Sequence, residues 1–286
     1  MIRHLAFGFV FFFAVQLFAV TVNEKVYILS DSLTAVDNTK FPYITFNLNN
    51  SFTQDNPVIE INQGDSLDLW VVNFDSITHE FMISNFASTL LSIPSGDSVL
   101  VGYKFNSAGA YIYHDPLNAP KNQYLGLGGM IVVKDHNHDS FYWNIKEHQS
   151  DWNPILSNNG SVTWTDYYPN YFTINGNSNP DINNDPTARI VGNIGDTLIL
   201  NIANTGQSIH SLHFHGYHAV ILFSSKSTLD VGREKDTFPI YPQETMVLRI
   251  VPDKEGEYPV HDHNLVAVTG NNYYPNGMFT TILISP

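Results

Sequence analysis

The sequence predicts an all-β protein built of two tandem β-sandwich units. Three observations carry this expectation. Short runs rich in β-branched and aromatic residues alternate with clusters of Asn, Asp, Gly and Pro from Val22 onward. No stretch carries a persuasive helical apolar stripe. One order of motifs then occurs twice along the 286 residues.

In chain order, strands are expected at Lys25 to Leu29, Tyr43 to Leu48, Val58 to Ile61, Leu67 to Val72, Val99 to Phe105, Ala110 to Tyr113 and Met130 to Val133. The repeat then begins. Gly64-Asp65-Ser66-Leu67 is matched by Gly195-Asp196-Thr197-Leu198, and without a gap Asn73 and His79 match Asn204 and His210. Further on, Gly109 to Asp115 is matched by Gly256 to Asp262, and Gly129-Met130 by Gly277-Met278. Unit one therefore spans residues 22–135 and unit two 141–286, joined by a polar bridge at 136–140. The turn-rich stretch Asn175 to Pro186 reads as a surface loop of the second unit. Residues 1–19 read as a signal peptide: Arg3 and His4, then an apolar run from Leu5 to Val15, then the small residue Ala19. The protein is thus expected to be exported, with no membrane association once that segment is removed.

A formal charge of -14 with thirteen basic residues argues against nucleic acid and anionic lipid as partners. With no cysteine, the chain has neither disulfides nor a thiolate metal ligand. Gly126-Leu127-Gly128-Gly129 precedes a strand and is no phosphate loop.

The chemistry concentrates in His210-Ser211-Leu212-His213-Phe214-His215 and in His261-Asp262-His263. Residues two apart on a strand share a face, so His213 with His215 and His261 with His263 form two imidazole pairs. Neutral imidazole suits copper, zinc, iron and nickel, which makes a metal ion the expected partner. His4, His136, His138 and His148 read as surface or hydrogen-bonded histidines, and the parity of His218 differs from that of His213 and His215.

These windows, with Tyr171 to Gly176, Gly195-Asp196 and the late Gly277-Met278, resemble the multicopper oxidase superfamily over nearly all of the chain after residue 19. The resemblance implies two cupredoxin-like domains, each a Greek-key β-sandwich, and is similar in arrangement to two-domain laccases and copper nitrite reductases. Against the family's blue copper site, His79 and His210 match the early histidine, and Met130 and Met278 the axial methionine. Asp115 and Asp262 stand at the cysteine position, and no histidine follows within 116–129 or 264–277. Carboxylate for thiolate removes the soft ligand of a blue site. The expectation is that His79 pairs with Asp115 and His210 with Asp262 in the old pockets.

The family's interdomain copper cluster takes eight histidines. Here His114, His213, His215, His261 and His263 match them, while Met82, Ser84 and Pro116 replace three in the first unit. The expected site is mononuclear and non-blue, holding copper, with zinc sharing the same donors. A nitrite-reductase-like centre would match Ser84, His114 and His263, so it too lacks a ligand. Three classes of function follow: a copper-dependent oxidoreductase on a small molecule, a copper buffer or carrier, and a structural module with empty sites. Two-domain relatives place the cluster between neighbouring chains, which implies a homotrimer.

Overall fold

The computed structural model describes residues 19–86 and 90–286; the expected signal peptide lies almost wholly outside them. The first domain contains β1 (Thr21–Thr34), β2 (Lys40–Asn47), β3 (Val58–Asn62), β4 (Ser66–Asn73), β5 (His79–Ile83), β6 (Leu91–Ile93), β7 (Ser98–Lys104), β8 (Gly109–His114), a short helix α1 (Lys121–Tyr124) and β9 (Gly128–Lys134). The second runs through β10 (Asp139–His148), α2 (Trp152–Ser157), β11 (Tyr171–Ile174), β12 (Val191–Asn193), β13 (Leu198–Asn204), β14 (His210–Phe214), β15 (Ala219–Ser224), β16 (Glu234–Lys235), β17 (Thr237–Ile240), β18 (Thr245–Ile250), β19 (Gly256–Asp262) and β20 (Phe279–Ser285).

The duplication read from motifs is a duplication of topology. One sheet is ordered β2-β1-β4-β7 in the first domain and β11-β10-β13-β18-β15-β16 in the second. The other is β3-β9-β8-β5-β6, against β12-β20-β19-β14-β17. In each domain the first and fourth strands pair in parallel, as do the third and last, while hairpin neighbours run antiparallel. Such crossovers between facing sheets are those of a Greek-key sandwich. Alternating side chains fill each interior: Val26, Leu67, Leu69, Val71 and Phe81 in the first, Leu198, Leu200, Ile202, Leu212 and Phe214 in the second.

A third apolar layer joins the domains. Ala110 and Ile112 of β8 and Met130 and Val132 of β9 pack against Tyr142, Ile199, Ala203 and Val247. Polar groups lock the seam: Asn144 Nδ2 donates to the Gly128 carbonyl at 2.8 Å, Lys146 Nζ to that of Gln123 at 2.8 Å, and Thr245 Oγ1 to that of Ala110 at 2.6 Å. Trp152 and Leu156 of α2, although past the bridge in sequence, join the first domain's core.

Two expectations change. The stretch from Asn175 to Pro186 is no mere surface loop. Ile182 is fully buried in the second core, because a 3-10 turn over Asp181–Asn184 folds it back over β20. His148 is neither a surface nor a hydrogen-bonded histidine: it is fully buried and neither ring nitrogen has a partner among the described residues. Its ring lies 5.2–6.0 Å from those of Phe41, Tyr43 and Tyr124. Burial, reinforced by the charge of Lys146, lowers its pKa to about 3, so the ring is neutral. The cause is tertiary: β10 is covered on one face by its own sandwich and on the other by the first domain.

Candidate metal centre

In each domain, the pocket matched to a blue copper site is filled by an imidazole held between two carboxylates. His79 opens β5 and His210 opens β14, and both side chains are fully buried. His79 Nδ1 lies 2.7 Å from Asp115 Oδ2, and its Nε2 lies 2.9 Å from Asp75 Oδ2. His210 Nδ1 lies 2.6 Å from Asp262 Oδ2, and its Nε2 lies 3.0 Å from Glu147 Oε2. The Asp115 and Asp262 pairings follow the sequence expectation. Asp75 and Glu147 were not anticipated.

A carboxylate on each ring nitrogen favours the doubly protonated ring, in which both nitrogens donate. For His210, burial alone lowers the pKa, but the bonds to Asp262 and Glu147 outweigh it and raise it to about 9. His79 is raised by the same balance. Burial would raise Glu147, yet His210 and the backbone N–H of Gln207 hold it at about 2. An imidazolium has no lone pair for a metal. Protons therefore occupy both positions that the early histidine would give to copper.

The four histidines of the second unit come together on the solvent-facing side of the β14–β19 pair. His213 and His261 are direct cross-strand partners, His215 N–H donates to the Pro259 carbonyl, and His263 N–H donates to that of Ser211. The ring of His213 lies 4.7 Å from that of His215, 5.8 Å from His261 and 5.5 Å from His263. His215, His263 and His218 are exposed, whereas His213 and His261 are half-buried.

Hydrogen bonds fix two tautomers. His261 Nδ1 lies 2.8 Å from the Asp262 carbonyl, an acceptor only, so Nδ1 carries the proton and Nε2 the lone pair. Thr237 Oγ1 donates to Asp236 Oδ1 at 3.0 Å and accepts from His213 Nδ1 at 2.9 Å, which likewise leaves the His213 Nε2 lone pair free. His215 Nε2 lies 3.0 Å from His261 Nε2. Without a metal the His215 Nε2–H donates to the His261 lone pair, and the same spacing suits two imidazole nitrogens each about 2.0 Å from one ion once that proton leaves. Partial burial and the neighbouring His213 and His261 lower the His215 pKa, favouring the neutral, ligating form. The pair fits a copper or zinc ion. Among the described residues, however, no three His, Asp or Glu side chains converge into a metal cage.

His114 stands apart from this group. It ends β8 opposite Met82, with its Nδ1 3.4 Å from Ser84 Oγ. Burial lowers its pKa to about 4, the Asp115 charge opposes this, and the Lys146 charge adds to it. The register explains the setting: His114 shares the β8 face of Ala110 and Ile112, which the second domain covers.

Comparison with known proteins follows the same lines. Residues 154–286 match the multicopper oxidase family model. The blue copper oxidase from Nitrosomonas europaea superposes with a TM-score of 0.79 at 22% identity, over 93% of this chain and 86% of that one. The copper nitrite reductase from Nitrosomonas europaea gives 0.72 at 16% identity, over 93% and 94%. A laccase from Botrytis aclada gives 0.72 at 14% identity, over 93% of this chain and 53% of the laccase. Comparison with curated proteins gives no match. The second domain thus matches the multicopper oxidase family model over most of its length, and the whole chain shares the tandem cupredoxin-like fold of these structures.

Proposed function

We propose that this is an exported, copper-binding, multicopper-oxidase-like protein with one non-blue mononuclear site on the outer face of its second domain. The observation that carries this reading is the His215–His261 pair, 3.0 Å apart through Nε2. His213 adds a free lone pair beside it, and His263 an exposed ring. His261 and His215 would hold the ion, with His213 and His263 completing the set, while His114, turned toward the second domain of its own chain, stands outside it. Copper is favoured over zinc by the order of divalent affinities and by the family. Bound there, copper would supply one-electron redox chemistry toward a small molecule. Thr237 and the Asp262 carbonyl orient the imidazoles, as hydrogen-bonded outer partners do for metal-binding histidines.

A homotrimer is part of the proposal, with the histidine face closing against the first domain of a neighbouring copy. The internal seam supplies the template, since β8 and β9 of the first domain pack on the β13–β18 sheet of the second. The corresponding first-domain sheet carries Trp70 and Leu100, cross-strand partners that are 43% and 47% exposed. An apolar pair on an open sheet face suits contact with another copy.

Metal analysis of protein purified without added metal tests the reading. About one copper per chain, lost in His261→Ala and retained in His136→Ala, supports it. Protein free of copper and unable to take it up rejects it. A second reading, a copper carrier without turnover, draws on the carboxylates at both cysteine positions, since a chain without cysteine has no thiolate path for electrons. Oxygen consumption with a phenolic donor, abolished in His263→Ala, separates the enzyme from the carrier.

A further inference from the structure

Glu147 has a partner that the His210 pocket does not require. The Tyr167 hydroxyl lies 3.1 Å from Glu147 Oε1 and 3.0 Å from the Glu147 carbonyl. Tyr167 belongs to an aromatic cluster: its ring is 5.4 Å from Trp152, 5.9 Å from Tyr124 and 6.4 Å from Trp164. Trp164 stands 5.5 Å from both Trp152 and Tyr124 and is half-buried, so the cluster reaches the surface. Two of the chain's four tryptophans are gathered here.

We propose that Tyr167 and Glu147 form a proton-coupled one-electron redox site, connected through Trp152 and Trp164 to a transition-metal-complex oxidant at the surface. In the oxidation step the Tyr167 O–H bond breaks. The electron leaves through the indole rings and reduces the oxidant by one unit, while the proton passes to Glu147 Oε1. The products are a neutral tyrosyl radical and a Glu147 carboxylic acid, and re-reduction returns both.

Three physical features support the step. The phenol does not ionise by itself, because burial and the Glu147 charge hold its pKa well above the ordinary value. Glu147 stays ionised through its bonds to His210 and the Gln207 and Ser208 N–H groups, so an acceptor is always in place. His210 as a cation between Glu147 and Asp262 carries a net charge of about −1 in a buried setting, and the arriving proton neutralises it. Ring separations of this order keep the aromatic groups in van der Waals reach for electron exchange.

The test uses the full chain, metal-free, with photogenerated tris(bipyridine)ruthenium(III) as oxidant and electron paramagnetic resonance as readout. The expected product is a neutral tyrosyl signal that forms more slowly in D2O. Tyr167→Phe is expected to remove that signal and leave a tryptophan radical, whereas Tyr168→Phe, at an exposed neighbour, leaves it intact. Glu147→Gln is expected to strand the radical on tryptophan. Should that variant fail to fold, the D2O dependence of the wild-type chain decides the proton's involvement. An unchanged tyrosyl signal in Tyr167→Phe, which would place the radical on another of the chain's fifteen tyrosines, overturns the proposal. So does a formation rate indifferent to D2O.

Discussion

The two domains share one topology yet differ in what covers the equivalent sheet face. In the first, the β5–β8 face carries Met82, Ser84 and His114 and lies toward the second domain. In the second, the β14–β19 face carries four imidazoles and is open. The buried pockets behind these faces are alike, each an imidazole between two carboxylates. Surface chemistry and core chemistry are therefore separable here: the core pockets hold their imidazoles between carboxylates in both domains, and the second domain's uncovered face carries a cluster of imidazoles.

The core half of the comparison gives the largest expected effects. His210→Ala leaves Glu147 and Asp262 buried without their cation, at a cost of about 3–5 kcal/mol. His79→Ala is expected to cost less, because the Asp75 side chain is 9% exposed where Glu147 is 0%. Urea denaturation of both variants measures the contrast, and equal losses would break it.

Next in size is pH dependence. The His210 pKa is raised from 6.5 to about 9. Its stabilisation is therefore complete below about pH 6.5 and lost as pH rises through about 9, worth on the order of 3 kcal/mol. Lys146 runs the opposite way: burial lowers its pKa to about 7, so its contribution grows as pH rises from there. Stability measured between pH 6 and 10 in Lys146→Met should consequently fall more steeply than in the wild-type chain. A flat profile in that variant would mean that His210 is neutral.

On the open face, Thr237→Val removes the group that orients His213 and is expected to weaken copper binding about 10–100-fold, by titration calorimetry. Ser84→Ala, at the covered counterpart, should leave it unchanged. The smallest effect on the monomer belongs to Trp70→Ser with Leu100→Ser: folding stability moves by about 0.5 kcal/mol or less, while the sedimenting mass falls from trimer to monomer.

Much of this was legible in the sequence. Runs of β-branched and aromatic residues between turn formers and the repeated Gly-Asp and His-Asp motifs pointed to two sandwiches, and the i, i+2 spacing put four imidazoles on one face. The carboxylate at the cysteine position foretold the pairings of His79 and His210. Asp75 and Glu147 escaped notice because nothing local marks them. Glu147 lies 63 residues from His210 and reaches it only through the parallel pairing of β10 with β13. His148 was misjudged for a related reason: its burial comes from the seam between domains, which periodicity within one strand does not encode.

Copper titration of the metal-free chain, followed by visible and electron paramagnetic resonance spectra, decides whether the open histidine face or a core pocket takes the metal. About one copper per chain, nitrogen hyperfine structure, no intense blue band, and loss of binding in a combined His215→Ala and His261→Ala variant are expected. Binding that survives in that variant but disappears in His210→Gln would place the metal in the core pocket and contradict the open-face site.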